Sequence, residues 1–435
     1  MDHFTYQRGQ LCAEDVPIEE LAMSVGTPFY VYSTATLERH YKAFYGSFEG
    51  LDVKVCFAVK ANSNVAVLAT LGRLGAGADV VSGGELKRAL AAGIPASDVV
   101  FSGIGKTPAE LAQALDAGVG QINVESESEL KVLSEVATGR GTSARIAIRV
   151  NPDVDAKTHA KITTGKKENK FGIDWTMARS VYERAAKLPG IEAKSVAVHI
   201  GSQLLDLQPF RDAYQRLGDL VAMLRADGHD IQHLDLGGGV GIPYEIGAAA
   251  PSPADYADVV RQELGGLGCS FTFEPGRLVA GNAGLLVSKT IYVKEGATRT
   301  FLILDAAMND LIRPALYDAY HEILPVAEPI AGAPIRPVDI VGPVCETGDT
   351  FAKERPMPPV KPGDLVAFRT AGAYSAVMAS CYNSRALIPE VMVSGDQYSV
   401  IRDRVTVERM LEWERLPDWL EPGQAVSGTS GGTSG

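Results

Sequence analysis

From Val53 onward, short apolar runs alternate with longer stretches in which apolar residues recur at helical spacing. The first run, Val53 to Val59, combines alternation with β-branched residues and reads as a buried strand, and Asn64 is placed to cap the helix that follows. This strand ends near Lys60, and later runs end near Ser82, Ser102, Glu125, Val150, His199, Leu236 and Glu274. Between most of them, Val65–Leu74, Gly84–Ala92, Pro108–Ala117, Glu127–Val136, Met177–Leu188, Pro209–Arg225 and Pro253–Leu264 read as helices. Strands and helices alternating in this way predict an α/β fold, a (β/α)8 TIM-like barrel, although the pattern alone also fits a doubly wound open sheet.

The flanks differ. Residues 1 to 27 begin irregularly, and Thr27 to Tyr32 then reads as a strand. After Gly276 the helical period fades. Leu285–Val293, Thr300–Leu304, Val338–Val341, Asp364–Thr370 and Glu390–Val393 alternate or carry β-branched residues, with Gly- and Pro-rich segments between them. A C-terminal, mainly β domain follows from this. The expected division is a barrel over 28–279, a β-rich domain from 1–27 together with 280–420, and a flexible tail over 421–435. That tail ends in Ser427 to Gly435, which contains only Ser, Gly and Thr. Within the barrel segment, the polar stretch between Val150 and Trp175 is longer than an ordinary βα connection. It reads equally as a binding element or as a solvated insertion.

With 435 residues the chain exceeds what one compact core accommodates, which agrees with two domains. A net charge of −12 argues against nonspecific binding to nucleic acid or to an anionic membrane. No run approaches the ~20 apolar residues that span a bilayer, and the first residues lack the apolar core of a signal peptide. The five cysteines (Cys12, Cys56, Cys269, Cys345 and Cys381) are scattered with no CxxC pair, so no metal site is expected and reduced thiols in a cytoplasmic protein are.

In a barrel, functional groups sit at the C-terminal ends of strands. Lys60 ends the first strand, Asp79 lies in the second, and His199 ends the sixth. Asp235-Leu236-Gly237-Gly238-Gly239 ends the seventh and Glu274-Pro275-Gly276-Arg277 the eighth. Burial at a strand end lowers the pKa of a lysine and makes it a usable nucleophile. A glycine run by itself means a tight turn. After strands seven and eight, where barrels often bind phosphate, it reads as a phosphate cradle. A lysine, a phosphate cradle, a histidine and an acid on one rim suggest pyridoxal phosphate. Lys60 would form the Schiff base, His199 would stack on the ring, and Glu274 would keep the pyridine nitrogen protonated.

These residues, with their surroundings, resemble the diaminopimelate decarboxylases, a family of fold-type III enzymes that use pyridoxal 5'-phosphate. The resemblance runs through Ala58-Val59-Lys60-Ala61-Asn62, Gly77 to Glu85, Gly165 to Gly172, His199-Ile200-Gly201-Ser202-Gln203, Gly237-Gly238-Gly239 and Glu274-Pro275-Gly276-Arg277. In the second domain it continues through Cys345-Glu346-Thr347-Gly348-Asp349 and Gly372-Ala373-Tyr374; the family more often has Ser where Thr347 stands. The resemblance implies decarboxylation of meso-2,6-diaminopimelate to L-lysine. It adds Asp79, Ser202, Gly238, Gly239, Gly276, Arg277 and Tyr374 as cofactor-binding residues. Arg277, Arg313, Tyr317, Glu346 and Tyr374 would bind the substrate, and Cys345 would return the proton to the α-carbon. It further implies a homodimer with shared active sites, to which the partner subunit's Cys345 and the partner subunit's Glu346 belong, and a long polar loop that closes over the substrate.

The pocket chemistry separates this activity from its relatives. Paired guanidinium forks suit a substrate whose far end is a carboxylate. A decarboxylase for ornithine, arginine or lysine needs an acid there to meet a distal cation, so Arg313 favours diaminopimelate. A racemase on the same fold would need two opposed proton donors. A catalytically silent cofactor carrier would lack either the lysine or the proton donor, and Lys60 and Cys345 are both present.

Overall fold

Eight parallel strands pair in chain order and close on themselves: Val53–Ala58, Gly77–Val80, Val99–Phe101, Gln121–Val124, Ala144–Asn151, Ile191–Ala197, His233–Asp235 and Ser270–Phe273. Closure comes from Phe271 registering with Val53, between the last strand and the first. This is the (β/α)8 barrel, and the open-sheet alternative is excluded. The computed structural model describes residues 2–154, 170–245 and 247–420. Most of the long polar stretch, including Gly165 and its neighbours, and the tail over 421–435 lie outside the described residues.

Local sequence explains where most of the βα connections stop. Asn64 Oδ1 accepts from the Ala66 amide at 3.0 Å, as the cap reading requires. Ser82, Thr107, Ser126 and Ser252 open the helices Gly83–Ala91, Pro108–Ala117, Glu127–Gly139 and Pro253–Leu264 in the same manner, with reciprocal capping boxes at Thr107 and Ser252. The caps at Ser82 and Ser126 fix a helix start just above a strand end, which holds the intervening loop on the rim.

The second layer is a mainly antiparallel sheet built around the long strand Gly284–Glu295. It pairs with Thr300–Leu304 at one end, and with Leu365–Phe368 and Phe29–Ser33 at the other. Phe29–Ser33 therefore belongs to this sheet, although it falls inside the 28–279 range. The chain turns toward the barrel only with the helix Thr34–Gly46. Residues 4–17, irregular by sequence pattern, form three short antiparallel strands, Phe4–Gln7, Gln10–Ala13 and Val16–Pro17. Strands this short carry too few residues to show a period.

A second departure lies next to the rim. The segment Asp310 to Ile323 has a helix-like pattern, but the helix covers only Arg313–Tyr317. Asp318 then adopts a left-handed conformation at φ 51°, and Ile323–Pro325 is a strand.

Candidate active site

Lys60 leaves the first barrel strand on the single turn Val59–Ala61, which lifts its side chain over the C-terminal rim. Its Nζ donates to Asp79 Oδ2 at 2.6 Å. Asp79 is wholly buried, whereas the Lys60 side chain is 39 % exposed, toward a cavity enclosed by the rim. The expectation of a depressed lysine pKa is corrected here. Burial does press it down and is the largest influence, but the influences that raise it, led by the charge and hydrogen bond of the Asp79 carboxylate, outweigh burial and hold the ammonium above its ordinary value. Lys60 is an ion-paired cation at neutral pH.

Beyond that ion pair, two acids meet at the ends of the seventh and eighth strands. Asp235 Oδ2 accepts from Asn123 Nδ2 at 2.8 Å and Gln121 Nε2 at 3.0 Å, and Oδ1 accepts from the Gly237 amide at 3.0 Å. Glu274 Oε1 accepts the longer contacts from Ser102 Oγ and Asn123 Nδ2, each 3.4 Å, and its carboxyl hydrogen-bonds with Asp235. Burial, then Asp235 and Asp79, push the Glu274 carboxyl well above the usual range. Two buried carboxyls in contact share one negative charge. The stronger donor set places that charge on Asp235 and leaves the proton on Glu274.

His199 stands beside the glycine run, where the Gly238 amide donates to its Nδ1 at 3.3 Å. Burial, then the cations Arg149 and Lys60, hold the imidazole well below its ordinary pKa, so the ring is neutral. The glycines are required by close approach. A Cβ on Gly238 would lie 2.3 Å from the Glu274 carbonyl oxygen, and one on Gly239 would lie 2.3 Å from that of Gly201.

The cavity holds about 750 Å³. Its lining presents two arginines. Arg277 donates to Ser202 Oγ at 3.2 Å and to the Tyr244 hydroxyl, with its guanidinium 4.7 Å from the Tyr374 ring centre. Arg313 is buried, and its guanidinium lies 5.1 Å from the Tyr244 ring centre. Neither makes an ion pair among the described residues. Two buried cations without a carboxylate partner form a site for an anionic group.

Of the residues singled out from the sequence, Lys60, His199, Ser202, Gly238, Gly239 and Glu274 line the cavity. So do Gly276, Arg277, Arg313, Tyr317 and Tyr374, and Asp79 sits behind Lys60. Cys345 and Glu346 are not brought there: both are exposed outside the cavity, with Cys345 Sγ 3.6 Å from Asn383 Oδ1. Sequence reasoning missed Asn123, Arg149 and Phe171 on the wall, and Tyr244 and His321 beside the arginines. Asn123, two residues before the predicted strand end near Glu125, could have been found by position. His321 left no such signal.

A family model described as "Pyridoxal-dependent decarboxylase, pyridoxal binding domain" matches residues 34–281. A diaminopimelate decarboxylase of Zymomonas mobilis is 49% identical over 422 residues, which covers 96% of this chain and 99% of that protein. The crystal structure of diaminopimelate decarboxylase from Helicobacter pylori, complexed with L-lysine, superposes with a TM-score of 0.87 at 42% identity, covering 91% of this chain and 98% of that one. The M. jannaschii diaminopimelate decarboxylase, in co-complex with L-lysine, gives a TM-score of 0.92 at 35% identity, with coverage of 97% and 99%.

Proposed function

The chain belongs to the diaminopimelate decarboxylases, carboxy-lyases that depend on pyridoxal phosphate, and from that premise we propose that Lys60 carries the cofactor as a Schiff base and that Cys345 is the proton donor. The observation that carries the first assignment is Lys60 Nζ at the cavity wall, paired with Asp79 at 2.6 Å and facing the acid Glu274. The residues present fit the cofactor. Gly238, Gly239 and Gly276, with Ser202, Arg277 and Tyr374, offer a cradle for its phosphate. A protonated Glu274 suits a pyridine nitrogen, and a neutral His199 suits a ring face. When bound, pyridoxal phosphate supplies an electron sink for the pair left on the α-carbon as carbon dioxide departs.

The protein's own residues do the rest. Glu274 holds a proton at the ring nitrogen, backed by the charge on Asp235. Arg277, Arg313 and Tyr317 hold the carboxylate at the far end of the substrate, which is the carboxylate that L-lysine retains. Glu346 takes the distal amine, and Cys345 Sγ delivers a proton to the α-carbon. Since Cys345 and Glu346 are exposed in this chain, the assignment requires a homodimer in which the partner subunit's Cys345 completes each cavity. The setting we infer is cytoplasmic, in keeping with five free cysteines.

The deciding experiment measures carbon dioxide release from meso-diaminopimelate, with ornithine alongside and pyridoxal phosphate added. Release from diaminopimelate with formation of lysine supports the reading. Release from ornithine alone overturns the assignment of Arg313. Lys60→Ala should abolish the Schiff-base absorbance, and an unchanged spectrum would move the cofactor lysine elsewhere.

A further inference from the structure

His321 sits outside the cavity lining against Arg313, Tyr244 lines the cavity beside both arginines, and neither is expected from the sequence. The His321 Nδ1 lies 2.9 Å from the Arg369 carbonyl oxygen, which can only accept, so Nδ1 carries the ring proton. In a neutral ring Nε2 is then a lone pair, and it accepts from Arg313 Nε–H at 3.2 Å. Burial, then the neighbouring Arg313, with Arg277 and Arg355 adding to it, keeps this imidazole uncharged, pushed down to about 3. Tyr244 completes the arrangement. Its ring meets His321 edge-on at 5.3 Å and carries the Arg313 guanidinium at 5.1 Å and the Arg277 guanidinium at 5.7 Å, and its hydroxyl accepts from Arg277 Nη1.

These contacts use Nε of Arg313 and one Nη of Arg277. They orient both guanidiniums without placing an acid beside them, so the charge stays available to a ligand. An aspartate in the place of His321 would hold Arg313 equally well but would neutralise it. A neutral acceptor and an aromatic face hold a cation and leave it a cation.

We propose that His321 and Tyr244 are positioning residues that aim Arg313 and Arg277 as a paired clamp, and thereby set selectivity for an amino acid whose far end is a carboxylate. The inference rests on reading the cavity as the diaminopimelate site. It also accounts for the broken segment after Tyr317. In one continuous helix His321 would stand eight residues above Arg313, about 12 Å along the axis. The left-handed Asp318 folds the chain back so that the two side chains touch.

The test uses the cofactor-loaded enzyme and two competitive inhibitors. L-lysine carries the carboxylate, and 1,5-diaminopentane lacks it. His321→Leu should raise KM for meso-diaminopimelate, and the inhibition constant of lysine, by about 10- to 100-fold, with kcat within about threefold. Inhibition by diaminopentane should not move. His321→Gln, which restores a neutral acceptor toward Arg313 Nε, should recover most of the loss. Tyr244→Leu, which removes the shared ring, supplies an independent variant should His321→Leu fail to fold, and should shift lysine but not diaminopentane. Equal weakening of both inhibitors, or an unmoved KM in folded variants, overturns the clamp. Wild-type enzyme that turns over ornithine and not diaminopimelate brings down the reading of the site itself, an outcome distinct from the clamp's own failure.

Discussion

Gly238→Ala tests whether the rim geometry matters as much as its residue types. The added Cβ would lie 2.3 Å from the carbonyl oxygen of Glu274 and 3.0 Å from its carbon, and real Cβ contacts essentially never fall under 3.0 Å. The two strand ends must therefore open by at least 0.7 Å. Neither side yields easily. The obstructing atoms are backbone, and the same strand ends are tied by the Glu274 amide to the Gly237 carbonyl at 2.6 Å and by the Leu236 amide to the Thr272 carbonyl at 2.9 Å. Relief must come from moving Glu274, whose carboxyl faces Lys60 and Asp235. A displacement on the order of 1 Å at a positioning group costs about 100-fold in rate. The overpacking itself costs about 1–3 kcal/mol of stability. Carbon dioxide release from meso-diaminopimelate should show kcat/KM down about 100-fold in a protein that still melts cooperatively. Gly265→Ala is the matched control, because that glycine has helical backbone angles and an added Cβ there meets nothing within 4 Å. If Gly238→Ala keeps kcat/KM within about threefold of that control, the view that close backbone approach holds Glu274 in place is wrong.

Cys345→Ala should keep the cofactor spectrum but lose about 100- to 10,000-fold in turnover, and a wild-type rate would remove Cys345 from proton delivery. Mixed with Lys60→Ala under subunit exchange, it should regain about a quarter of wild-type turnover, since one site of each mixed dimer pairs an intact lysine with an intact cysteine. No recovery despite exchange would refute shared sites. His233, bonded to Ser270 Oγ at 2.8 Å and Thr272 Oγ1 at 2.9 Å, is pushed down to about 4 by burial, with Lys54 adding to it. Its folded pKa lies below the unfolded value, so the stability it contributes is full above about pH 6.5 and is lost as pH falls toward 4. Acidification from pH 7.5 to pH 5 should cost the wild type about 2 kcal/mol that His233→Gln does not lose, and equal losses in urea unfolding would refute the assignment.

The barrel is legible because its signals are local and redundant. A strand such as Val99–Phe101 is apolar and buried at every position and reads as an uninterrupted short run, and the next helix starts on a cap. Pro108–Ala117 and Pro253–Leu264 can be located to the residue because a Ser or Thr cap, a proline and an acid three positions on coincide there. The second sheet is harder to read. Thr350–Met357 escapes notice because, in the outermost strand of that sheet, it alternates weakly and carries Lys353, Glu354 and Arg355. Asp310 to Ile323 misleads because a non-glycine residue in the left-handed region, Asp318, carries no signature that separates it from a helical aspartate.

What the sequence conceals at the site is the balance of charges. Lys60 and Asp79 are both visible on neighbouring strand ends, yet the sign of the lysine's shift depends on a 2.6 Å contact that no spacing encodes. The same holds for Glu274. As a lone acid on a rim it would be ionised. Burial raises its pKa first, and the donors gathered by Asp235 from Gln121 and Asn123, on a strand across the barrel, keep the negative charge on Asp235 and leave the proton on Glu274. The arginines repeat the lesson with opposite charge. Arg313 can be read as a cation in a pocket, but its freedom to act on a ligand depends on His321 being a neutral acceptor and not an acid. Residue types therefore announce the chemistry, and the protonation states that make it work arise from neighbours brought together by the closed barrel and by one left-handed turn.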